Sequence, residues 1–290
     1  MRTAIMTDTN SGITVEEGKK AGIYVLSMPV IIEQKCYLEG VDITHRQLYD
    51  AMLSDKELSS SQPSPGDVMA MWDTILSEGY DEIVYIPMSS GLSGSCQNAI
   101  LLAQEYDSKV LVVDNHRISV TLMESVYDAK CLADKGLSGE EIKKTLEESA
   151  YQASIYITVN SLKYLLKGGR ITPSAAAIAN ILNIKPVLTI QGEKLDLITK
   201  VRGMKQGERK MIESLKADIS SRFSDIPAKR LRVATAGTFD KPEEAERWKN
   251  MVQEAFPESD VYYMPLSCSI ACHVGVGAVG IGAIVIQERS

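Results

Sequence analysis

The run Ile83-Val84-Tyr85-Ile86-Pro87 is apolar without alternation, and it leads through Ser89-Ser90-Gly91-Leu92-Ser93-Gly94-Ser95 into a helical pattern over residues 97–103. A strand that is apolar on both faces is stable only in a sheet covered on both sides, and strand-then-helix order is how such sheets are built. The unit recurs. Residues 3–7 read as a strand ending in Asp8-Thr9-Asn10-Ser11, and Val110-Leu111-Val112-Val113 as another closed by Asp114-Asn115. Helical patterns cover residues 16–21, 67–77, 119–135 and 138–152, and Thr44 caps one reaching Leu53. Residues 23–26 and 30–32 read as extended, and 54–64 as a serine-dense loop. The fold class expected is α/β, with an N-terminal, mostly parallel sheet carrying helices on both faces.

The second half reads differently. Residues 154–159 suggest a strand, and 161–166 a helix stopped by Gly168-Gly169 with Arg170 just beyond. Pro173 opens a helix through Ala175-Ala176-Ala177-Ile178-Ala179. Residues 185–190 and 195–199 flank Gln191-Gly192-Glu193 as an antiparallel hairpin. A helix at 204–223, a strand at 231–236, a helix at 243–255 and strands at 261–264 and 281–286 complete an α/β unit with a mixed sheet. A chain of 290 residues is long for one core, so two domains are expected, 1–155 and 156–290. No low-complexity linker or repeat separates them, which implies intimate packing.

Composition excludes some functions. With 31 basic and 38 acidic residues the net charge is −7, leaving no basic surplus for nucleic-acid phosphates. No apolar run approaches the roughly 20 residues of a membrane span, so membrane contact is expected to be transient at most. The polar N-terminus predicts a cytoplasmic protein, and the five cysteines predict free thiols. Cys268, Cys272 and His273 have metal-like spacing, but no second ligand cluster accompanies them; buried small side chains are the expectation, with no metal.

Two hydroxyl-rich segments, Ser60-Ser61-Gln62-Pro63-Ser64 and Ser89 to Ser95, fit either helix caps or a pocket for a small anion. His273, beside a glycine-rich turn, offers a tunable imidazole or a satisfied structural one. A Ser–His pair also raises a hydrolase or acyltransferase using Ser93. However, Gly91-Leu92-Ser93-Gly94-Ser95 lacks the fifth-position glycine of a nucleophile elbow, and no acid to orient His273 is identifiable. Gly275-Val276-Gly277-Ala278-Val279-Gly280 matches a dinucleotide fingerprint but follows no convincing strand and opens no βαβ unit. Gly168-Gly169-Arg170 reads as a phosphate contact or a helix end, and Lys200-Val201-Arg202-Gly203 as a plain strand end.

In combination these segments resemble the DegV family over nearly the whole chain. The resemblance rests on Thr7-Asp8-Thr9, Ser60-Ser61-Gln62-Pro63-Ser64, Ser89 to Ser95, Leu165-Leu166-Lys167-Gly168-Gly169-Arg170-Ile171, Lys185-Pro186-Val187-Leu188, Lys200-Val201-Arg202 and His273-Val274-Gly275-Val276-Gly277. It implies a two-domain protein that holds one long-chain fatty acid between its domains. Such a protein is a carrier, not an enzyme, and needs no cofactor. It presents the carboxylate to a separate ATP-binding subunit of fatty acid kinase, feeding phospholipid synthesis. By position, Ser60, Ser93 and His273 would bind the carboxylate. Ser61, Gly94, Ser95, Arg170 and Arg202 would lie near the head group or face the partner. Ser60 departs from the family's usual threonine, keeping the hydroxyl without the methyl. Val276 stands where proline or a small residue is usual. Patterning suggests Leu92, Ile178, Ile181, Leu182 and residues 274–278 as walls for the acyl chain. Burial of a chain of about 14 methylenes would contribute roughly 11 kcal/mol before ordering costs.

Overall fold

The computed structural model describes residues 2–178 and 183–289. Its strands are β1 (Thr3–Asp8), β2 (Ile23–Leu26), β3 (Pro29–Ile32), β4 (Lys35–Leu38), β5 (Leu58–Ser60), β6 (Glu82–Ile86), β7 (Val110–Val112), β8 (Ala153–Thr158), β9 (Ile184–Ile190), β10 (Asp196–Arg202), β11 (Leu231–Gly237), β12 (Tyr262–Pro265) and β13 (Val279–Val285). The helices are α1 (Val15–Ala21), α2 (His45–Leu53), α3 (Pro65–Ser77), α4 (Ser95–Ala103), α5 (Ser119–Asp134), α6 (Gly139–Glu148), α7 (Lys163–Gly168), α8 (Pro173–Ala176), α9 (Met204–Ser221), α10 (Pro242–Ala255) and α11 (Cys268–Val274).

The first sheet has the order β2-β1-β6-β7, and every pairing in it is parallel. Its unbroken apolar strands follow from burial on both faces. Because side chains alternate, Ala4, Met6, Ile83 and Tyr85 meet Trp72 of α3 and Cys96 of α4 on one side. Ile5, Val84 and Ile86 meet Leu122 of α5 and Ile142 of α6 on the other.

The second sheet has the order β10-β9-β8-β13-β11-β12 and is mixed, parallel only between β11 and β12. Residues 185–190 and 195–199 do pair antiparallel, with a register shift between Leu197 and Thr199. One face of this sheet packs on α9 and α10 through Met211, Leu215 and Trp248. On the other face, Ile157, Leu188, Ala234 and Ala236 join Leu92, Ile118 and Val120 of the first half in one apolar cluster. The two sheets draw on residues 3–112 and 153–285 respectively, and residue 155 lies inside β8.

Several local readings differ. The serine-dense stretch at 54–64 is not all loop: its residues 58–60 form β5, which pairs with β3 in a three-stranded antiparallel sheet β4-β3-β5. Only this edge pairing makes a strand of Leu58-Ser59-Ser60. The helix expected at 138–152 stops at Glu148, with Ser149 as its C-cap. Cys268 to Val274, to which the sequence pattern assigns no element, is helical and buried on most sides. Of the suggested wall residues, Ile181 and Leu182 lie outside the described residues.

The halves meet tightly at one turn. Gly91 lies against the β9–β10 turn, and a Cβ there would come 2.3 Å from the carbonyl oxygen of Gly192 and 2.8 Å from Cα of Glu193. Both are backbone atoms, which cannot rotate away. Gly91→Ala is therefore expected to lower stability by about 1–3 kcal/mol, read as a drop in melting temperature. Gly66→Ala, in the first turn of α3 with nothing closer than 3.8 Å, should leave stability unchanged or raise it slightly.

Candidate functional site

Asp8 ends β1 fully buried and accepts hydrogen bonds from the backbone N–H of Asn10 (2.8 Å) and of Met88 (3.1 Å). It thereby fixes where β6 releases the chain. Burial pushes its carboxyl up to about 6, against the lowering effect of those donors. Beyond Met88 the serine loop folds around Ser89. The Ser89 carbonyl accepts from Leu92 N (3.1 Å) and Ser93 N (3.2 Å), and its hydroxyl accepts from Gly91 N (3.2 Å) while donating to the Gly192 carbonyl. Ser90 N is held by Asp114 (3.2 Å). The loop thus spends Ser89 on its own shape and turns Ser93 outward. Ser93 Oγ accepts from Ser95 N at 3.2 Å, so its own proton is free to be donated.

His273 lies in the last turn of α11. The helix is held by Cys268, Ala271 and Cys272, which pack against Val30, Tyr49 and Leu58 around the three-stranded sheet. At its start, Glu39 accepts from Thr9 Oγ1 (2.9 Å) and from the backbone N–H groups of Cys268 and Ser269. So placed, His273 Nε2 meets Ser60 Oγ at 2.7 Å. On the other side of the ring, a Cβ on Gly168 would lie 2.3 Å from Nδ1. The Gly168-Gly169 pair therefore has two uses: Gly169 caps α7 in the left-handed region, and Gly168 makes room for the imidazole. Burial, then the nearby Arg170 guanidinium, lowers the His273 pKa to about 4, which keeps the ring neutral at pH 7. Arg170 itself bonds to the carbonyls of Leu92 (3.2 Å) and Gly168 (2.5 Å).

These groups converge on one cavity of about 110 Å³. Ser60, Ser61, Ser93, Arg170 and His273 line it, together with Met28, Met88, Leu92, Ile118, Ile155, Ile157, Ile190, Leu195, Leu266, Ile270 and Val274. Its wall thus comes from the loops and α5 of the first half and from the second sheet, and is largely apolar. Other expected residues stand elsewhere. Gly94 and Ser95 do not line it; Ser95 is buried beside a smaller recess with Pro63 and Tyr85. Arg202 is exposed at the end of β10, its N–H bonded to Gln206. Ile178 and Ala278 are buried in the adjoining apolar cluster, outside the lining. Of the four hydroxyls in the serine loop, only that of Ser93 belongs to a lining residue.

The arrangement bears on the hydrolase reading. The histidine pairs with Ser60 rather than Ser93, and its Nδ1 has no hydrogen-bond partner among the described residues. A nucleophilic serine needs that nitrogen oriented by an acid. Cys268, Cys272 and His273 do not gather as ligands; burial raises both thiols, Cys272 to about 12.

The sequence profile described as an uncharacterised protein of the DegV family matches residues 2–285. This chain belongs to the DegV family. A DegV domain-containing protein of Deinococcus radiodurans is 31% identical over 282 residues, covering 97% of this chain and 98% of that one. One from Staphylococcus aureus is 29% identical over 277 residues, covering 96% of each. Among solved structures, a DegV family protein of Thermus thermophilus, described by its fatty acid binding, superposes with a TM-score of 0.88 at 27% identity, covering 99% of this chain and 100% of that one. DegV of Bacillus subtilis, described as a fatty acid binding protein, gives 0.85 at 26%, with coverage of 98% and 99%. The two-sheet architecture of this DegV chain is therefore that of its relatives. No helix among its described residues is long and apolar enough to cross a membrane.

Titration tests the neutral ring. By NMR, the His273 ring should remain uncharged down to about pH 4, where a free imidazole would charge near 6.5. Below pH 6.5 the unfolded chain takes up a proton that the folded chain refuses. Relative to His273→Gln, the protein should therefore lose up to about 3 kcal/mol of stability as pH falls from 6.5 to 4. Asp8 and Glu39, both raised to about 6, act in the opposite direction in both proteins and drop out of the comparison.

Proposed function

We propose that this chain binds one long-chain fatty acid in the cavity shared by its two halves, with the carboxylate on Ser60, Ser93 and His273. The observation that carries this reading is the meeting of the Ser60–His273 pair and Ser93 on the wall of a largely apolar cavity. A carboxylate leaving water needs donors for both oxygens. Ser93 has its proton free because its oxygen already accepts from Ser95 N. Ser60 has its proton free when His273 carries hydrogen on Nε2 and donates it to Ser60 Oγ. The neutral ring thus polarises Ser60 without adding a charge. The fatty acid binding reported for the Thermus thermophilus and Bacillus subtilis relatives supports the same ligand class.

In this reading the chain is a carrier. Its donors are neutral, and Arg170 is engaged with backbone carbonyls, so the carboxylate keeps more of its nucleophilicity than a bidentate guanidinium would leave it. That suits delivery to a separate ATP-binding kinase subunit, which would convert the carboxylate to an acyl phosphate for phospholipid synthesis. Exposed Arg202 is a candidate contact for that partner. The carrier's working compartment is the cytoplasm, and its structural division falls between the units 1–155 and 156–290, near the start of β8.

Purified protein, denatured and analysed by mass spectrometry, should release one fatty acid per chain. Ser93→Ala and Ser60→Ala should each weaken binding by about 10- to 100-fold, the loss of one hydrogen bond to a charged group. Unchanged affinity in both would refute the head-group assignment. A serine-reactive phosphonate should leave Ser60 and Ser93 unmodified; labelling of either would favour the hydrolase instead.

A further inference from the structure

Away from the cavity, three side chains from distant parts of the sequence meet. Glu39 follows β4, His45 opens α2 and Cys268 opens α11, and one ligand-type atom of each lies within 4.8 Å of the others. Among the described residues no other trio of such side chains gathers this closely. They lie in a second pocket of about 460 Å³, which Thr9, Thr44, Pro265 and Ser267 also line. Glu39 and Cys268 are buried and His45 is half-buried.

The surroundings orient each group. His45 Nε2 meets the Leu266 carbonyl at 2.9 Å. A carbonyl can only accept, so the hydrogen is on Nε2 and Nδ1 keeps its lone pair. Glu39 Oε2 accepts from Thr9 Oγ1 and Ser269 N and Oε1 from Cys268 N alone, which fixes the carboxylate plane while Oε1 retains a further lone pair. An imidazole with one N–H held by a backbone carbonyl and its other nitrogen left to ligate, and a carboxylate braced by outer hydrogen bonds, are how proteins aim metal ligands.

We propose that Glu39, His45 and Cys268 form a binding site for a divalent metal ion of the zinc class. One sulfur, one imidazole nitrogen and one carboxylate oxygen suit a borderline-soft ion, not Mg²⁺ or Ca²⁺, which prefer oxygen throughout. On binding, the Cys268 thiol releases its proton to solvent, and the thiolate and carboxylate together neutralise the dication. The pocket leaves the fourth position to water. Tetrahedral zinc with bonds of about 2.0–2.3 Å separates its ligand atoms by roughly 3.3–3.7 Å, so the trio closes with small side-chain rotations. The ion would tie the β4–α2 segment to α11, the helix that carries His273.

The full-length chain, stripped of metal with a chelator and titrated with Co²⁺ and then Zn²⁺, tests the site. Wild type should bind one Co²⁺ per chain with a sulfur-to-cobalt charge-transfer band, which Zn²⁺ abolishes. Cys268→Ser should lose the band, and His45→Gln should bind at least tenfold more weakly. Zn²⁺ should raise the melting temperature of wild type and not of either variant. The proposal is overturned if wild type shows no such band, a result that needs no variant to fold. It is equally overturned if the band persists in Cys268→Ser, which would place the ion on another thiol, or if affinity is the same in His45→Gln.

Discussion

The hydrogen bond between His273 and Ser60 spans 213 residues of sequence, and it forms only because α11 is wedged against the three-stranded sheet. That seating depends on a few tight constraints. Glu39 satisfies the N–H groups at the start of the helix, and Cys268, Ala271 and Cys272 fill the space beside Val30 and Leu58. Gly168 leaves just enough room for the imidazole. A larger residue at position 168 would push the ring off Ser60 even though it touches no hydroxyl.

Much of the frame was legible because it obeys local rules. Unalternating strands at 83–86 and 110–112 announced a sheet buried on both faces, and Gln191-Gly192-Glu193 between two apolar runs announced a hairpin. The missed elements are those whose form is imposed from outside. Leu58-Ser59-Ser60 has no strand signal and is extended because β3 offers it a partner. Cys268 to Val274 has no polar face to mark a helical period, since neighbours cover most of it. That Ser60, Ser93 and His273 share one cavity wall was signalled only by the resemblance, because nothing local in the sequence places them together. Glu39 was missed altogether: its role comes from backbone groups more than two hundred residues away.

The site also differs from the simplest picture of an anion pocket at a helix start. Ser89 and Ser95 do not line the cavity: the Ser89 hydroxyl is spent on Gly91 N and the Gly192 carbonyl, and the buried Ser95 hydroxyl has no partner among the described residues. What remains is a sparse set of neutral donors, each made directional by a second hydrogen bond from behind: Ser95 N behind Ser93, and the imidazole behind Ser60. A buried guanidinium would bind an anion more firmly but less reversibly. The guanidinium that is present, on Arg170, is occupied by the carbonyls of Leu92 and Gly168, where it staples the serine loop to the end of α7.

Neither sheet encloses the cavity by itself: Ile118 and Leu92 come from one half of the chain, Ile157 and Ile190 from the other. A guest in this space acts as a cohesive filler along the seam between them. Its departure would expose apolar wall on both sides of the seam to water at once. In the proposed role, retention of a guest is thereby coupled to the packing of the seam, since its loss would cost covered wall area in both halves.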